Sequence, residues 1–405
     1  MTPPSPPQTQ PRPLIEFGWI LAGNLSKVDA QAALQARNQV RQWLQTHFER
    51  FEWRMPLVTR AEMVRQHRVP PVVLLDAGAQ ERDNARWDFC LVITESDLDG
   101  HYKPFMLAAP SQALGVAVIS TARLDPAATN DEISPQERQQ LLTTRLASLA
   151  HHLFGHLNDL PHHADPQDFM FPPSRVDQLE TATQHHPDAI AQLHRALERV
   201  ADVRLEETGR YQASQGPSFF LHTLWHDRTN VLDAAIETRP WLFPFLLSKL
   251  TTAAVSTLVV MINTAEAWDL GMSQTTPAVV GLSIAALLGT TAFVIKRQHL
   301  LSHRQGKVWS EQRVISTAAI SLAMLTGMAT LYAMLFAATL LVGHLFFSYH
   351  LIEGWAASIE TAITFAHHLR LAGFIASMGL LIGALGAAFE AEEYIRHVTF
   401  VDEET

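Results

Sequence analysis

Chemistry in this chain concentrates in one run, LAHHLFGHLNDLPHHADPQDFMFPP, residues 149–173. His152 and His156 stand four residues apart, so on a helix both imidazoles face the same way. Leu142, Leu149 and His156 recur every seven residues, which turns this face toward a core. Asn158-Asp159 then breaks the helix, because either residue tolerates the left-handed backbone of a sharp turn. The chain can return through Leu160-Pro161 and set His162 or His163 beside the pair. A His pair alone is a common helix feature. Three imidazoles converging with one position open form the donor set of a catalytic zinc site.

Such a site needs elements to hold it. Ser134-Pro135-Gln136-Glu137 is a capping box with proline at the first helical position, and it predicts a helix over about 135–157. Residues 28–47 read as an amphipathic helix carried by Ala33, Leu34, Val40, Trp43 and Leu44. Short β-branched runs near 71–75 (PVVLL), 88–94 (DFCLVIT) and 115–120 (GVAVIS) are expected as strands. Beyond the histidines, residues 174–210 are expected to be helical and charged.

HLFGHLNDLPH, His152 to His162, resembles the HExxHxxGxxH zinc motif of metzincin metallopeptidases. DPQDFMFPP resembles their Met-turn, and WDFCLVITESDLDG and LGVAVISTARL are similar to the strand segments that precede the zinc helix in archaemetzincins. The resemblance covers about residues 85–180 of 405. It implies an α+β zincin-like domain with zinc as cofactor, His152, His156 and His162 as ligands, and Met170 as the thioether floor beneath them. His163 is the alternative to His162. Asp159 and His163 are candidates to hydrogen-bond an imidazole from behind, and Asp159 could also be a fourth ligand.

The departures from the motif bear on activity. The family's glutamate, directly after the first histidine, is Leu153, and its turn glycine is Asp159. The archaemetzincin cysteines beyond the third histidine are missing, so a second structural zinc is not expected. In that family the glutamate takes a proton from the attacking water and returns it to the leaving amine, a contribution of ~10²–10⁴-fold. Leucine can do neither, so no catalytic residue is assigned. Asp97 and Asp99 could approach the cleft, but a solvated turn is the simpler expectation. His151 points off the ligand face and is expected at the surface or behind a ligand; His185, His186, His194, His222 and His226 are read as ordinary surface or helix residues.

Composition narrows the classes further. The 405 residues carry 30 basic against 40 acidic side chains, a net charge of −10, which excludes a generally basic nucleic-acid binder. Cys90 is the single cysteine, so there is no intramolecular disulfide and no CxxC metal or redox motif. From Trp241 onward apolar stretches dominate, near 243–263, 277–295, 314–347 and 371–389. About 20 apolar residues cross a bilayer core of ~30 Å, so an all-α transmembrane domain of about four helices is expected over 241–391. Lys249 would snorkel, and the 314–347 run must tilt or kink. The expected order is a disordered Pro-rich tail (1–13), a metzincin-like soluble domain (14–215), a connecting amphipathic segment (216–240), the membrane domain and an acidic tail (392–405).

Lys296, Arg297, Arg304, Lys307 and Arg313 fill the loop between the second and third spans, whereas loops 264–276 and 348–369 hold no Lys or Arg. The positive-inside rule then predicts a multi-pass protein with both termini, and the soluble domain, in the cytoplasm. Gly379 and Gly383 form a small-xxx-small pair, and 351–369 is expected as an interfacial helix on the far side. No Asp or Glu sits in mid-span, which weighs against an ion path.

Three functions are therefore expected from sequence. The first is a membrane-anchored metzincin-like domain that holds zinc, with Leu153 weighing against peptidase activity. The second is an inactive sensor or scaffold that binds a peptide by strand addition along ISTARL. The third is the regulatory domain of a channel or transporter. Expected partners are membrane lipid, a peptide or protein ligand and, through the membrane helices, further copies of the chain; nucleic acid is not among them.

Overall fold

The structure is a computed structural model and describes residues 12–100, 106–128, 133–201, 217–301, 311–389, 396 and 401. The tail up to residue 11, the loop cations Arg304 and Lys307, residues 202–216 and nearly all of the acidic tail lie outside these residues. Two compact units divide the chain, Met1–Thr223 with two short later segments, and Leu224–Gln305 with Ile315–Thr399.

The first unit contains β1 (Leu14–Ala22), α1 (Lys27–His47), β2 (Glu52–Arg54), β3 (Leu57–Arg60), β4 (Arg68–Val69), α2 (Pro71–Ala85), β5 (Phe89–Thr94), β6 (Asp97–Leu98), β7 (Ala108–Ser111), β8 (Val116–Ser120), α3 (Pro135–His156) and α4 (Pro187–Val200). The main sheet runs β2-β1-β5-β8-β7, with β3 also on β1. Pairing is parallel except between β7 and β8. Alternation along the strands sorts the two faces. Ile15, Phe17, Trp19, Leu91, Ile93 and Ile119 join Val40 and Leu44 of α1 and Leu142, Leu146 and Leu149 of α3 in one core. On the opposite face, Gly78 lets α2 settle onto Val92 and Val116, where an added Cβ would lie 2.8 Å from each.

Several expectations hold and others are corrected. α1, β5, β8 and α3 form where predicted, and Ser134 Oγ accepts the Glu137 N–H at the start of α3. PVVLL, expected as a strand, instead opens α2, with Pro71 at a first-turn position where its missing N–H costs nothing. ISTARL is not an edge: β8 lies between β5 and β7, and β7 is the outer strand. The central strand β1 went unpredicted although LIEFGWILA is the near-continuous apolar run of a strand buried on both faces.

The short α5 (Pro217–His226) runs across the boundary at Thr223, and the second unit is helical: α6 (Arg228–Glu237), α7 (Phe243–Leu246), α8 (Ser248–Ile262), α9 (Ala265–Ser273), α10 (Thr276–Arg297), α11 (Glu311–Phe346), α12 (Tyr349–Trp355) and α13 (Phe365–Ala387). α10, α11 and α13 are long and apolar enough to cross a membrane, and Val231–Leu246 with Ser248–Ile262 adds a fourth if that bent pair is one span. The expected helix over 351–369 is broken: α12 stops at Trp355, residues 356–364 are not helical, and His367 and His368 sit in the first turn of α13.

Contacts fix the two ends of this bundle. At one end Lys249 Nζ donates to the Phe389 carbonyl and Gln298 Nε2 donates to the Ala387 carbonyl. That end therefore gathers Lys249, Lys296 and Arg297. At the other end Asp269 accepts the Ser358 N–H and hydroxyl at 2.7 and 2.6 Å, and Arg370 donates to the Gln274 carbonyl. Between the ends, Ser283 Oγ lies 2.8 Å from Tyr332 Oη and 3.2 Å from Ser377 Oγ, which ties α10, α11 and α13 together.

Gly379, Gly383 and Gly386 of α13 lie against α8. A Cβ on Gly383 would lie 3.1 Å from the Leu250 carbonyl oxygen, and one on Gly386 2.6 Å from that of Lys249. Backbone cannot yield as a side chain can, so Gly386→Val is expected to cost ~2–3 kcal/mol of overpacking strain. Its thermal unfolding in detergent should fall by several degrees while Gly354→Val, at a glycine with nothing within 4 Å, leaves it unchanged.

Candidate metal centre

α3 ends at His156, and the turn that follows brings the third histidine back. Asn158 N–H and Leu160 N–H both donate to the Gly155 carbonyl, and Asp159 takes φ +60°. This is the left-handed helix stop foreseen from the Asn-Asp pair. The Asp159 carbonyl is tied down in turn by Gln192 Nε2 at 2.7 Å.

His156 Nε2 lies 3.1 Å from His152 Nε2 and 3.1 Å from His162 Nε2. Ligands at ~2.0–2.1 Å around a tetrahedral ion stand about 3.3 Å apart, so three Nε2 atoms are already close to that spacing. Protonation makes the same point. His152 Nδ1 lies 2.7 Å from the Phe169 carbonyl, which can only accept, so Nδ1 carries the proton and Nε2 presents a lone pair. A neutral His156 has at most one Nε2 proton for two neighbouring nitrogens, whereas a cation satisfies all three. His152 and His156 are buried and His162 is exposed, which leaves one open approach. Among the described residues this is the one group of at least three His, Cys, Asp or Glu able to hold a metal ion. All of its donors are imidazoles, which suit zinc, copper, iron or nickel.

The Met-turn segment supports the helix from below. Met170 is buried with its sulfur against Gly155, where an added Cβ would lie 2.2 Å away. A side chain at 155 would therefore displace the thioether. The turn is clamped by Asp168, whose Oδ1 accepts the Met170 N–H and whose Oδ2 accepts the His186 N–H, both at 2.8 Å. Phe169, whose carbonyl holds His152, stacks its ring on His151 at 4.3 Å, and Trp43 and His185 meet both rings edge-on. Burial holds the His151 imidazole well below its ordinary pKa, with His185 adding to the effect, and burial lowers His185 to about 4. Both rings are neutral at pH 7 and pack as part of an aromatic layer.

His185 thus differs from expectation, being buried rather than at the surface, and of the two places open to His151 the structure has the buried one, behind the ligands against Phe169. His163 does not join the metal group: its N–H donates to the Met170 carbonyl, its Nδ1 accepts the Asp165 N–H, and its ring stacks on His186 at 4.9 Å. Asp159 is exposed. Asp97 is held in a two-point ion pair by Arg123, and Asp99 pairs with Arg68. Leu153 is fully buried in the domain core. Sequence reasoning missed Asp168 and Phe169; the signal available was an acidic residue two before Met170, placed to accept that residue's N–H as an Asx-turn does.

Asp168→Ala is expected to weaken zinc binding ~10–100-fold, because it releases the turn whose Phe169 carbonyl orients His152 from behind. Asp168→Asn, which can accept one of the two N–H bonds and not both, should fall between. Competition against a chromophoric chelator checks the order.

Fold and site define a chain of two parts, a mixed α/β unit with a three-imidazole centre at the end of one helix, and an apolar helical unit. No family model matches the chain, and no curated protein does. Among solved structures, the first part is similar to archaemetzincin from Methanopyrus kandleri, at 18% identity over 45% of this chain and 96% of that one, with a TM-score of 0.35. It is also similar to a zinc-dependent peptidase from Methanocorpusculum labreanum (19% identity, 44% and 99% covered, TM-score 0.33). A third is metalloproteinase-II from Bacteroides fragilis (13% identity, 47% and 55% covered, TM-score 0.30).

Proposed function

We propose that this chain is a membrane-anchored, metzincin-type domain that holds zinc through His152, His156 and His162 and captures a peptide or protein ligand without cleaving it. The observation that carries this reading is the convergence of three Nε2 atoms, two of them 3.1 Å from the third. Zinc, when bound, would supply a Lewis acid with one coordination position open to a ligand.

The chain's own residues would do the rest. The Phe169 carbonyl fixes the His152 tautomer, Met170 and Gly155 set the floor, and exposed His162 opens the approach to a ligand. Leu153 has no proton to give or take, so the residue that moves the proton in peptidases is a hydrocarbon here. Capture through the open position is what this donor set retains. The bundle's basic end, with Lys249, Lys296 and Arg297, would face the cytoplasm and so would the metal-binding unit.

The test is metal content of the full chain in detergent, followed by turnover of a mixed peptide library with and without chelator. About one zinc per chain with no chelator-sensitive turnover supports the reading. Chelator-sensitive turnover would make the protein a peptidase with another base, and a folded chain that takes up no zinc overturns the metal site itself.

A further inference from the structure

Just before α8 the second unit exposes a series of large apolar side chains that a soluble surface would not keep. Trp225 is 74% exposed, Leu232 47%, Ile236 55%, Trp241 45% and Phe245 69%. On α6 these residues follow a pattern. Val231, Ala234 and Ala235 are buried on one side, while Leu232 and Ile236, one turn apart, are exposed on a second, and Asp233 lies beyond them. Successive residues turn by ~100°, so the helix presents protein, apolar and polar edges in that order around its axis. A helix with one apolar face buried and another exposed has found only part of its environment.

Composition limits what that environment can be. Asp233, Glu237 and Arg239 fall within the segment from Val231 to Leu246, so this segment is too charged to cross a hydrocarbon core. It meets Ser248–Ile262 at a bend of 54°. The bend has a local cause: Leu247 leaves helical geometry at ψ 75°, and Thr251 Oγ1 donates to the Pro244 carbonyl across the break. The segment enters α8 at the end of the bundle that holds Lys249, Lys296 and Arg297. Trp225 precedes it and Trp241 lies within it, with the Arg228 guanidinium 5.3 Å from the Trp225 ring, the pairing of amphipathic aromatic and cation that suits a headgroup layer.

We propose that residues 225–246 lie in the plane of the bilayer interface at the basic end of the bundle, with Trp225, Leu232, Ile236, Trp241 and Phe245 sunk to the headgroup–acyl boundary. The partner is the lipid surface itself, and the claim rests on the reading that the second unit is embedded in a membrane. The segment is then an in-plane anchor rather than a linker or part of a span.

Spin labels test this in the full chain reconstituted in phosphatidylcholine–phosphatidylglycerol vesicles, and the sole native thiol, Cys90, is fully buried and leaves labelling selective. Labels on Leu232→Cys, Ile236→Cys and Phe245→Cys are compared with one on Asp233→Cys, and with Leu288→Cys on the exposed face of α10 as the bilayer control. The expected result is an oxygen-to-nickel-chelate accessibility ratio several-fold higher at 232, 236 and 245 than at 233. Nickel-accessible labels at 232, 236 and 245 with a lipid-exposed Leu288→Cys label overturn the proposal and leave the membrane reading intact. If the label at 288 is also in water, the membrane reading falls and the proposal with it. Labels shielded from both reagents would place protein, such as a second copy of the chain, on this face, and would likewise overturn it.

Discussion

The His156→Ala chain is expected to bind zinc at least ~10²-fold more weakly than the natural chain. Structural zinc sites gain ~10–16 kcal/mol from about four ligands, near 3 kcal/mol each, and 1.4 kcal/mol is tenfold in affinity. His156 is the right ligand to remove because its Nε2 is the one 3.1 Å from both of the others. Two controls sharpen the result. His163→Ala removes the histidine adjacent in sequence, which faces Asp165 and His186, and should change zinc affinity less than tenfold. Added zinc should raise the unfolding temperature of the natural chain and of His163→Ala, since a ligand bound only to the folded state stabilises it, and should leave His156→Ala unmoved. Equal loss in His156→Ala and His163→Ala would mean that the third ligand has been misplaced by one residue.

That one-residue choice shows where sequence was informative and where it stopped. Helical period puts His152 and His156 on one face whatever surrounds them, and a capped start at Ser134 fixes the register of the helix. The stop was legible too, because few residues accept a left-handed backbone and Asp159 is one of them. Which of His162 and His163 returns to the pair depends on a hydrogen bond from His163 to the Met170 carbonyl, between residues that no local rule connects. The same holds for Asp168, whose carboxylate binds one N–H nearby and another eighteen residues away. His185 was misread, and the place of His151 left open, for a related reason: burial of an imidazole against Trp43 and Phe169 is a property of three separate segments. PVVLL illustrates the opposite failure, since β-branched residues favour strands only weakly and Pro71 at the first turn favoured the helix.

Leu153→Glu completes the metzincin motif that residues 152–162 resemble, yet its expected effect is loss of stability without gain of peptidase activity. Leu153 is fully buried among the residues that pack α3 against the sheet. Exchanging it forfeits ~2–3 kcal/mol of apolar burial, and desolvating a carboxyl adds ~1–3 kcal/mol. Burial raises the folded-state pKa of such a glutamate above its unfolded value of about 4.3. The neutral acid is then the form the fold tolerates, so the variant should be closest to natural stability below pH ~4 and should lose stability as pH rises through the folded pKa. Leu153→Gln, similar in size and without a charge, should show a loss that does not vary with pH. Denaturant titrations of both variants and of the natural chain from pH 4 to 8, with chelator present so that zinc release by protonated imidazoles does not enter, separate the two. A Leu153→Glu chain that is as stable as the natural one at pH 8 and cleaves peptides would show that the side chain at 153 reaches the metal from the core side. The packing argues that glutamate at 153 is not enough by itself: with the position after His152 in the core, a carboxylate there also needs a polar path to the metal, and residues around it must change to provide one.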